Sequence, residues 1–254
     1  MARLAQTAGL TDVQQEIVST VRDFVDKEII PVATELEHRD EYPQAIVDGL
    51  KELGLFGLMI PPEEYGGLGE SLLTYALCVE EIARGGWMSV SGIINTHFIV
   101  AYMLKQHGTQ EQKDYFLPKM ALGDIRGAFS MSEPALGSDV SAITSKAVRD
   151  GDEYVLSGQK MWLTNGGTSS LVAVLVRTDE GHPEGTAPPH KSMTTFLVEK
   201  EPGFGEVRPR PDRPGQDRED GLQGRRHHRA DHGRGCGCRP TGSSAARPAA
   251  ASTR

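Results

Sequence analysis

Gly123-Asp-Ile-Arg-Gly-Ala-Phe-Ser-Met-Ser-Glu-Pro-Ala-Leu-Gly-Ser-Asp139 is where the periodicity of the chain changes. Gly123-Asp124 reads as a helix stop. Arg126 to Met131 is short and extended, and a Ser/Gly/Pro-rich loop follows it. In a loop that leaves a strand this way, backbone N–H groups and hydroxyls can converge on an anionic or polar ligand.

On the N-terminal side the pattern is helical. Thr11 and Gln14 make a capping box, and Ile17, Val21, Phe24, Val25 and Ile29 follow at helical spacing until Pro31 loosens it. A second helix is expected from Pro43 towards Leu53, with proline at its first position, where a missing N–H costs little. Met59 to Gly69, rich in Pro and Gly, reads as a loop. Ser71 to Ala83 and Ile93 to Gln106 read as buried helices. Thr109 and Gln112 form a second capping box ahead of Tyr115, Phe116 and Met120.

On the C-terminal side the runs have strand length: Thr144 to Val148, Tyr154 to Leu156, Lys160 to Leu163, Leu171 to Val176 and Met193 to Val198. Asp150-Gly151 is a tight-turn signal between the first two. Asp179 to Lys191 reads as a surface loop. The expected fold class is therefore α+β. An all-α domain (1–125) precedes an antiparallel β domain (126–207) that is only partly present. In Lys160-Met-Trp-Leu-Thr-Asn-Gly166, period two would put Trp162 and Thr164 on one face of a strand, an aromatic plane beside a hydroxyl. A ring cofactor could lie against the one and hydrogen-bond to the other. Taken singly, a tryptophan on a strand is usually a core residue and a Gly-Ser-Asp loop usually a turn.

Composition splits the chain near residue 208. Residues 1–207 carry 16 Lys+Arg against 30 Asp+Glu, a net charge of -14. Residues 208–254 carry 11 Arg, no Lys and 5 acids, a net charge of +6. The acidic front argues against electrostatic binding of nucleic acid or of an anionic membrane. No apolar run approaches the roughly 18 residues of a membrane span, and Met1 to Leu10 lacks the apolar core of a signal peptide. Cys78 is the single cysteine before residue 208, which fits a buried thiol in a reducing cytoplasm and excludes a disulfide scaffold. The tail has no Phe, Trp, Tyr, Ile, Val or Met, so it cannot bury enough apolar surface to offset chain entropy and is expected to be disordered.

Taken in order and spacing, the segments from Leu10-Thr-Asp through Pro62-Glu-Glu-Tyr-Gly-Gly-Leu-Gly69, Ser132-Glu-Pro-Ala-Leu-Gly-Ser-Asp139 and Lys160-Met-Trp-Leu-Thr-Asn165 resemble the acyl-CoA dehydrogenase family. The resemblance covers about residues 8–207. It implies FAD as cofactor and α,β-dehydrogenation of an acyl-CoA thioester, with proton removal by a glutamate and hydride transfer to the flavin. By resemblance, Phe129, Met131 and Ser132 would hold the flavin pyrimidine side and ribityl chain. Trp162 and Thr164 would pack on the isoalloxazine and hydrogen-bond near N5, and Ser138 would contact the acyl-CoA. Many members have Thr where this chain has Ser132, which keeps the hydroxyl. The family's glutamate base lies in a C-terminal helical domain, so no catalytic residue is assigned here. Glu133 belongs to the flavin-loop motif and is not that base. Intact relatives would be homotetramers that pass electrons to an electron-transfer flavoprotein in fatty acid metabolism. A related flavin oxidase or monooxygenase is the alternative enzyme.

For the tail, three readings compete. A basic partner-binding extension would make the chain a non-catalytic helical fragment with an appended arm. A metal site at Cys236, Cys238, His227, His228 and His232 has no supporting fold, and no metal is assigned. The third is a change of reading frame, because clustered Arg, Ala, Gly and Pro without Lys is what GC-rich DNA yields out of frame. Pairing the last two bases of each codon from Pro211 with the first base of the next allows Thr or Ile at Asp212-Arg213 and Lys or Arg at Gln216-Asp217. Carried to His232, the permitted residues include a string ending in Thr-Thr-Glu-Leu-Ile-Met that resembles family sequence beyond this point. A frame change is thus the expectation for 208–254. It makes this polypeptide a truncated product without turnover, and with weak or absent FAD binding.

Overall fold

The computed structural model describes residues 9–86, 88–150, 153–178, 192–202 and 228–230. The chain divides into two compact units, Met1–Tyr102 with Phe116–Asp124, and Met103–Tyr115 with Ile125–Arg254.

In the first unit, α1 (Asp12–Phe24) begins at the expected capping box. The Thr11 hydroxyl accepts from Gln14 N–H, and the Gln14 side chain accepts from Thr11 N–H. The helix does not stop at Pro31. A π turn over Val25–Ile29 gives way to α2 (Ile30–His38), with proline in its first turn. In the π turn Ile30 N–H bonds Val25 O, five residues back. This resets the hydrogen-bond ladder just before Pro31, whose missing N–H then falls where a new helix needs none. Val25 and Ile29 stay fully buried through the change.

The second helix, α3 (Gln44–Glu52), takes Pro43 as its N-cap residue, one position outside the helix. Its Ile46, Val47 and Leu50 join Val18, Val21, Ile29, Phe56, Cys78, Ile82 and Ile94 in one core. Met59–Gly69 is mainly loop, but it contains a single helical turn, α4 (Pro62–Tyr65), closed by Gly66 at φ 73°. Beyond it, Leu68 N–H bonds Gly57 O, Gly69 N–H bonds Ile60 O, and Glu70 N–H bonds Leu58 O. The Gly66-Gly67-Leu-Gly69 run therefore docks backbone to backbone.

Ser71 caps α5 (Leu72–Arg84), which buries Leu77, Cys78, Glu81 and Ile82. Next come α6 (Met88–His107) and α7 (Gln110–Ala121), the latter opened by the Thr109–Gln112 capping box and followed by Gly123 at φ 71°.

The strands are β1 (Gly127–Ser130), β2 (Lys146–Asp150), β3 (Glu153–Ser157), β4 (Leu171–Arg177), β5 (Met193–Glu199) and β6 (His228–Ala230). They form one sheet in the order β1-β4-β2-β3-β6, with β5 also paired to β4. The antiparallel pairings expected for the β domain are present in β2–β3 and β4–β5. The sheet as a whole is mixed, because β4 runs parallel to β1 along Leu171–Val174 and meets β2 in parallel at Arg177. Central placement explains the near-continuous apolar run of β4, where Leu171, Val172, Ala173 and Val176 are all buried. A small core of Ala147, Tyr154, Leu156, Val176 and Phe196 covers one face, with the Tyr154 and Phe196 rings 5.0 Å apart.

One strand expectation needs correction. Lys160–Leu163 is not a strand but a loop leading into a turn at 164–168. Its Met161 N–H bonds Ser132 O, and its Trp162 O accepts from Thr164 N–H. His228–Ala230 pair antiparallel with β3. The rest of the tail, the Gly151 turn position and the 179–191 loop lie outside the described residues.

No described helix is long and apolar enough to cross a membrane. No described cluster of His, Cys, Asp and Glu could hold a metal ion. Cys78 is a buried free thiol, and burial, with a smaller contribution from Glu70 and Glu81, pushes its pKa up to about 12.

Candidate functional site

Every candidate binding residue lies in the sheet-bearing unit. Phe129 is half-buried on β1, and Met131 and Ser132 are half-buried on the loop that leaves it. That loop folds into a tight turn in which Glu133 N–H bonds Leu136 O and Leu136 N–H bonds Glu133 O. Ser138 is exposed just beyond the turn.

The second segment meets the first at consecutive residues. Lys160 Nζ donates to Met131 O at 2.9 Å, Met161 N–H donates to Ser132 O at 2.9 Å, and Lys160 Nζ lies 3.1 Å from Glu133 Oε1. Farther along, the buried Asn165 side chain donates to Gly127 O at 3.2 Å, at the start of β1. The 160–165 segment is thus fastened at both ends to β1 and the loop that follows it.

Between these fastenings the backbone is strained. Trp162 has φ 60° and Asn165 φ 64°. Asparagine tolerates the left-handed region, whereas a tryptophan there is uncommon and costs on the order of 1–3 kcal/mol. Trp162 is also 82% exposed, an unusual position for so large an apolar ring. Strain of this kind persists where the surroundings over-determine it, and it concentrates at ligand sites. Thr164 is exposed two residues on. The structure therefore brings Met131, Ser132 and the Trp162 segment together by a reversal of the chain. The shared strand face expected from the sequence is absent.

Sequence reasoning missed the part played by Glu133. Its buried carboxylate accepts from Thr144 N–H at 2.8 Å, the Thr144 hydroxyl at 2.7 Å and Ser145 N–H at 2.8 Å, besides Lys160. Burial alone would push this carboxyl up. The nearby Ser145 hydroxyl, short of a regular hydrogen bond, and the Thr144 and Ser145 amides more than reverse that and bring it to about 2. Desolvation lowers the Lys160 ammonium, which Glu133 partly restores. A depressed carboxyl contributes stability above its unfolded value, about 4.3, and loses it as pH falls through the folded value. Acid titration followed by circular dichroism should therefore show the wild-type chain losing stability between pH ~4.3 and ~2 more steeply than Glu133→Gln. Parallel acid curves for the two would exclude this source of acid sensitivity.

The acyl-CoA dehydrogenase N-terminal domain model matches residues 11–124, and the acyl-CoA dehydrogenase middle domain model matches residues 128–222. The chain is 38% identical over 197 residues to the mitochondrial short-chain specific acyl-CoA dehydrogenase of Bos taurus, covering 76% of this chain and 45% of that protein. Its fold is similar to that of butyryl-CoA dehydrogenase from Megasphaera elsdenii, with TM-score 0.68, 33% identity and coverage of 75% of this chain and 49% of that one. It is also similar to a glutaryl-CoA dehydrogenase from Mycobacterium smegmatis in complex with FADH2, with TM-score 0.66, 28% identity and coverage of 75% and 46%. The chain spans under half the length of each of these relatives. With both of its matched segments described by that family's domains, in the family's order, the chain belongs to the acyl-CoA dehydrogenase family.

Proposed function

We propose that residues 11–207 are the flavin- and acyl-CoA-binding part of an FAD-dependent dehydrogenase that introduces an α,β double bond into an acyl-CoA thioester. The observation that carries this reading is Trp162, an exposed indole held in a left-handed conformation on a segment fastened at both ends. An aromatic plane presented in this way suits a flat ring ligand, and Thr164, exposed two residues on, has a hydroxyl that can donate a hydrogen bond. The residues fit FAD, which when bound supplies the two-electron acceptor for the reaction. In this reading Trp162 walls the ring and Thr164 hydrogen-bonds near its reactive edge. Phe129, Met131 and Ser132 line its pyrimidine side and ribityl chain, and Ser138 contacts the acyl-CoA. Hydrogen bonds to the thioester carbonyl would favour proton loss from the α-carbon by stabilising the enolate-like transition state.

The proton-abstracting glutamate is assigned to none of the 254 residues. We read 208–254 as translated out of frame, on its arginine-rich, lysine-free composition and its decoding in the neighbouring frame. The segment to re-read in the DNA runs from codon 207 to codon 222, where the family match ends. The intact product would hand electrons to an electron-transfer flavoprotein and assemble as a homotetramer. A reducing cytoplasmic setting suits the buried free thiol of Cys78.

The expected result is that the 254-residue chain shows no acyl-CoA-dependent bleaching of FAD, whereas the protein expressed after correcting the frame by one base is yellow and bleaches under anaerobic acyl-CoA. Robust bleaching by the uncorrected chain would sink the frame reading. A corrected protein that no acyl-CoA bleaches would sink the dehydrogenase reading, and oxygen consumption without another acceptor would move it to an oxidase.

A further inference from the structure

Glu133 does not need Lys160. Its carboxylate already accepts three hydrogen bonds, from Thr144 N–H, Thr144 Oγ1 and Ser145 N–H, all between 2.7 and 2.8 Å. A lysine placed against a carboxylate so well satisfied adds little to the ionisation of that group, and it pays a desolvation cost of its own, since its side chain is only 11% exposed. What Lys160 does hold is the chain on either side of it. Its ammonium bridges Met131 O and Glu133 Oε1, and the next residue bonds Ser132 O. Residues 131, 132 and 133 are thereby each joined to 160 or 161, and Trp162 follows at once. Buried ion pairs contribute little net stability, and the best-attested role for them is fixing one register among several.

We propose that Lys160 is a positioning residue: it docks the 160–162 backbone on the 131–133 loop and so fixes where the chain presents Trp162. The proposal rests on the flavin reading for its purpose but not for its test. With Lys160 replaced, Glu133 keeps its three donors and the sheet keeps its ladders. On the N-terminal side of Trp162 the Met161–Ser132 hydrogen bond then remains, and on the other side the Asn165 fastening to Gly127 is untouched.

The experiment uses the full 254-residue chain in a Trp87→Phe background, in which Trp162 is the sole tryptophan. Time-resolved fluorescence anisotropy and thermal melting are measured for that chain and for Lys160→Met. Lys160→Gln is read by the same criteria should the methionine variant aggregate. The expected result, read at a temperature where both chains remain folded, is a larger amplitude of the fast, picosecond-to-nanosecond component of the indole anisotropy in the variant. Where the parent chain binds added FAD, the variant's affinity is expected to fall about tenfold. An anisotropy decay identical to the parent's overturns the proposal. So does a faster decay accompanied by an equal loss of the whole fold, which would make Lys160 a general stabilising residue. A parent chain that binds no FAD is what the frame reading expects, and the anisotropy result decides the positioning role without flavin.

Discussion

Glu81→Ala is expected to destabilise the helical unit by about 3–5 kcal/mol, the cost of breaking a buried charge cluster by removing one partner. Glu81 is fully buried on α5. Its Oε1 accepts from Arg22 of α1 through both Nε and Nη2, and its Oε2 accepts from Arg84 Nε at 2.8 Å. Arg84 also reaches Asp26 at 2.7 Å. Burial pushes the Glu81 carboxyl up, and the bonds from Arg22 and Arg84 outweigh it and leave the group lowered. Alanine would leave Arg84, whose side chain is 8% exposed, with its Nε unpaired in a low-dielectric site. The exposed Glu35–Arg39 pair is the control, and Glu35→Ala should cost no more than about 0.5 kcal/mol. Urea denaturation read by circular dichroism measures both. Similar midpoints for the two variants would mean that water reaches the Glu81 cluster freely.

A comparable loss, about 3 kcal/mol or more, is expected for Gly67→Ala. A Cβ at Gly67 would sit 2.1 Å from Ile60 O and 2.6 Å from Gly57 O. Both are backbone atoms in the segment on which the 66–70 run docks, so no rotamer change relieves the overlap. Gly137 is the matched contrast: a Cβ there meets nothing within 4 Å, and alanine should change stability by less than about 0.5 kcal/mol. Equal melting curves for Gly67→Ala and the parent chain would refute the backbone-docking account of the glycine run.

Much of the helical unit was legible because its signals are local. The capping boxes at Thr11 and Thr109, the helical spacing of Ile17, Val21, Phe24, Val25 and Ile29, and the Gly123 stop each act within one or two turns. Pro31 is legible as a loosening of the helical pattern, but nothing local announces the π turn that resets the ladder ahead of it. The strand runs were legible as apolar stretches, but the direction of their pairing was not. Parallel partners such as β1 and β4 are set by the path of the chain between them.

At the candidate site, residue types were readable and placement was not. Phe129, Met131, Ser132 and Ser138 come from the family resemblance, and Trp162 and Thr164 from that resemblance and from their spacing. Period two then suggested a strand face for Trp162 and Thr164, although Asn165-Gly166 is a turn signal that could have warned against it. Glu133 was set aside as part of a motif, since a carboxylate's hydrogen-bond partners eleven and twenty-seven residues away leave no mark on spacing.

By itself the sequence determined the α+β order, the capped helix starts, the compositional break near residue 208 and the likeness to a flavoenzyme family, all properties of residue type and short-range spacing. Only the tertiary structure decided that 160–165 is a fastened, strained loop, that β4 lies at the centre of a mixed sheet, and that Glu133 and Lys160 join two distant segments. Those features depend on which backbone N–H and C=O groups, far apart in the chain, find each other once the apolar runs are buried.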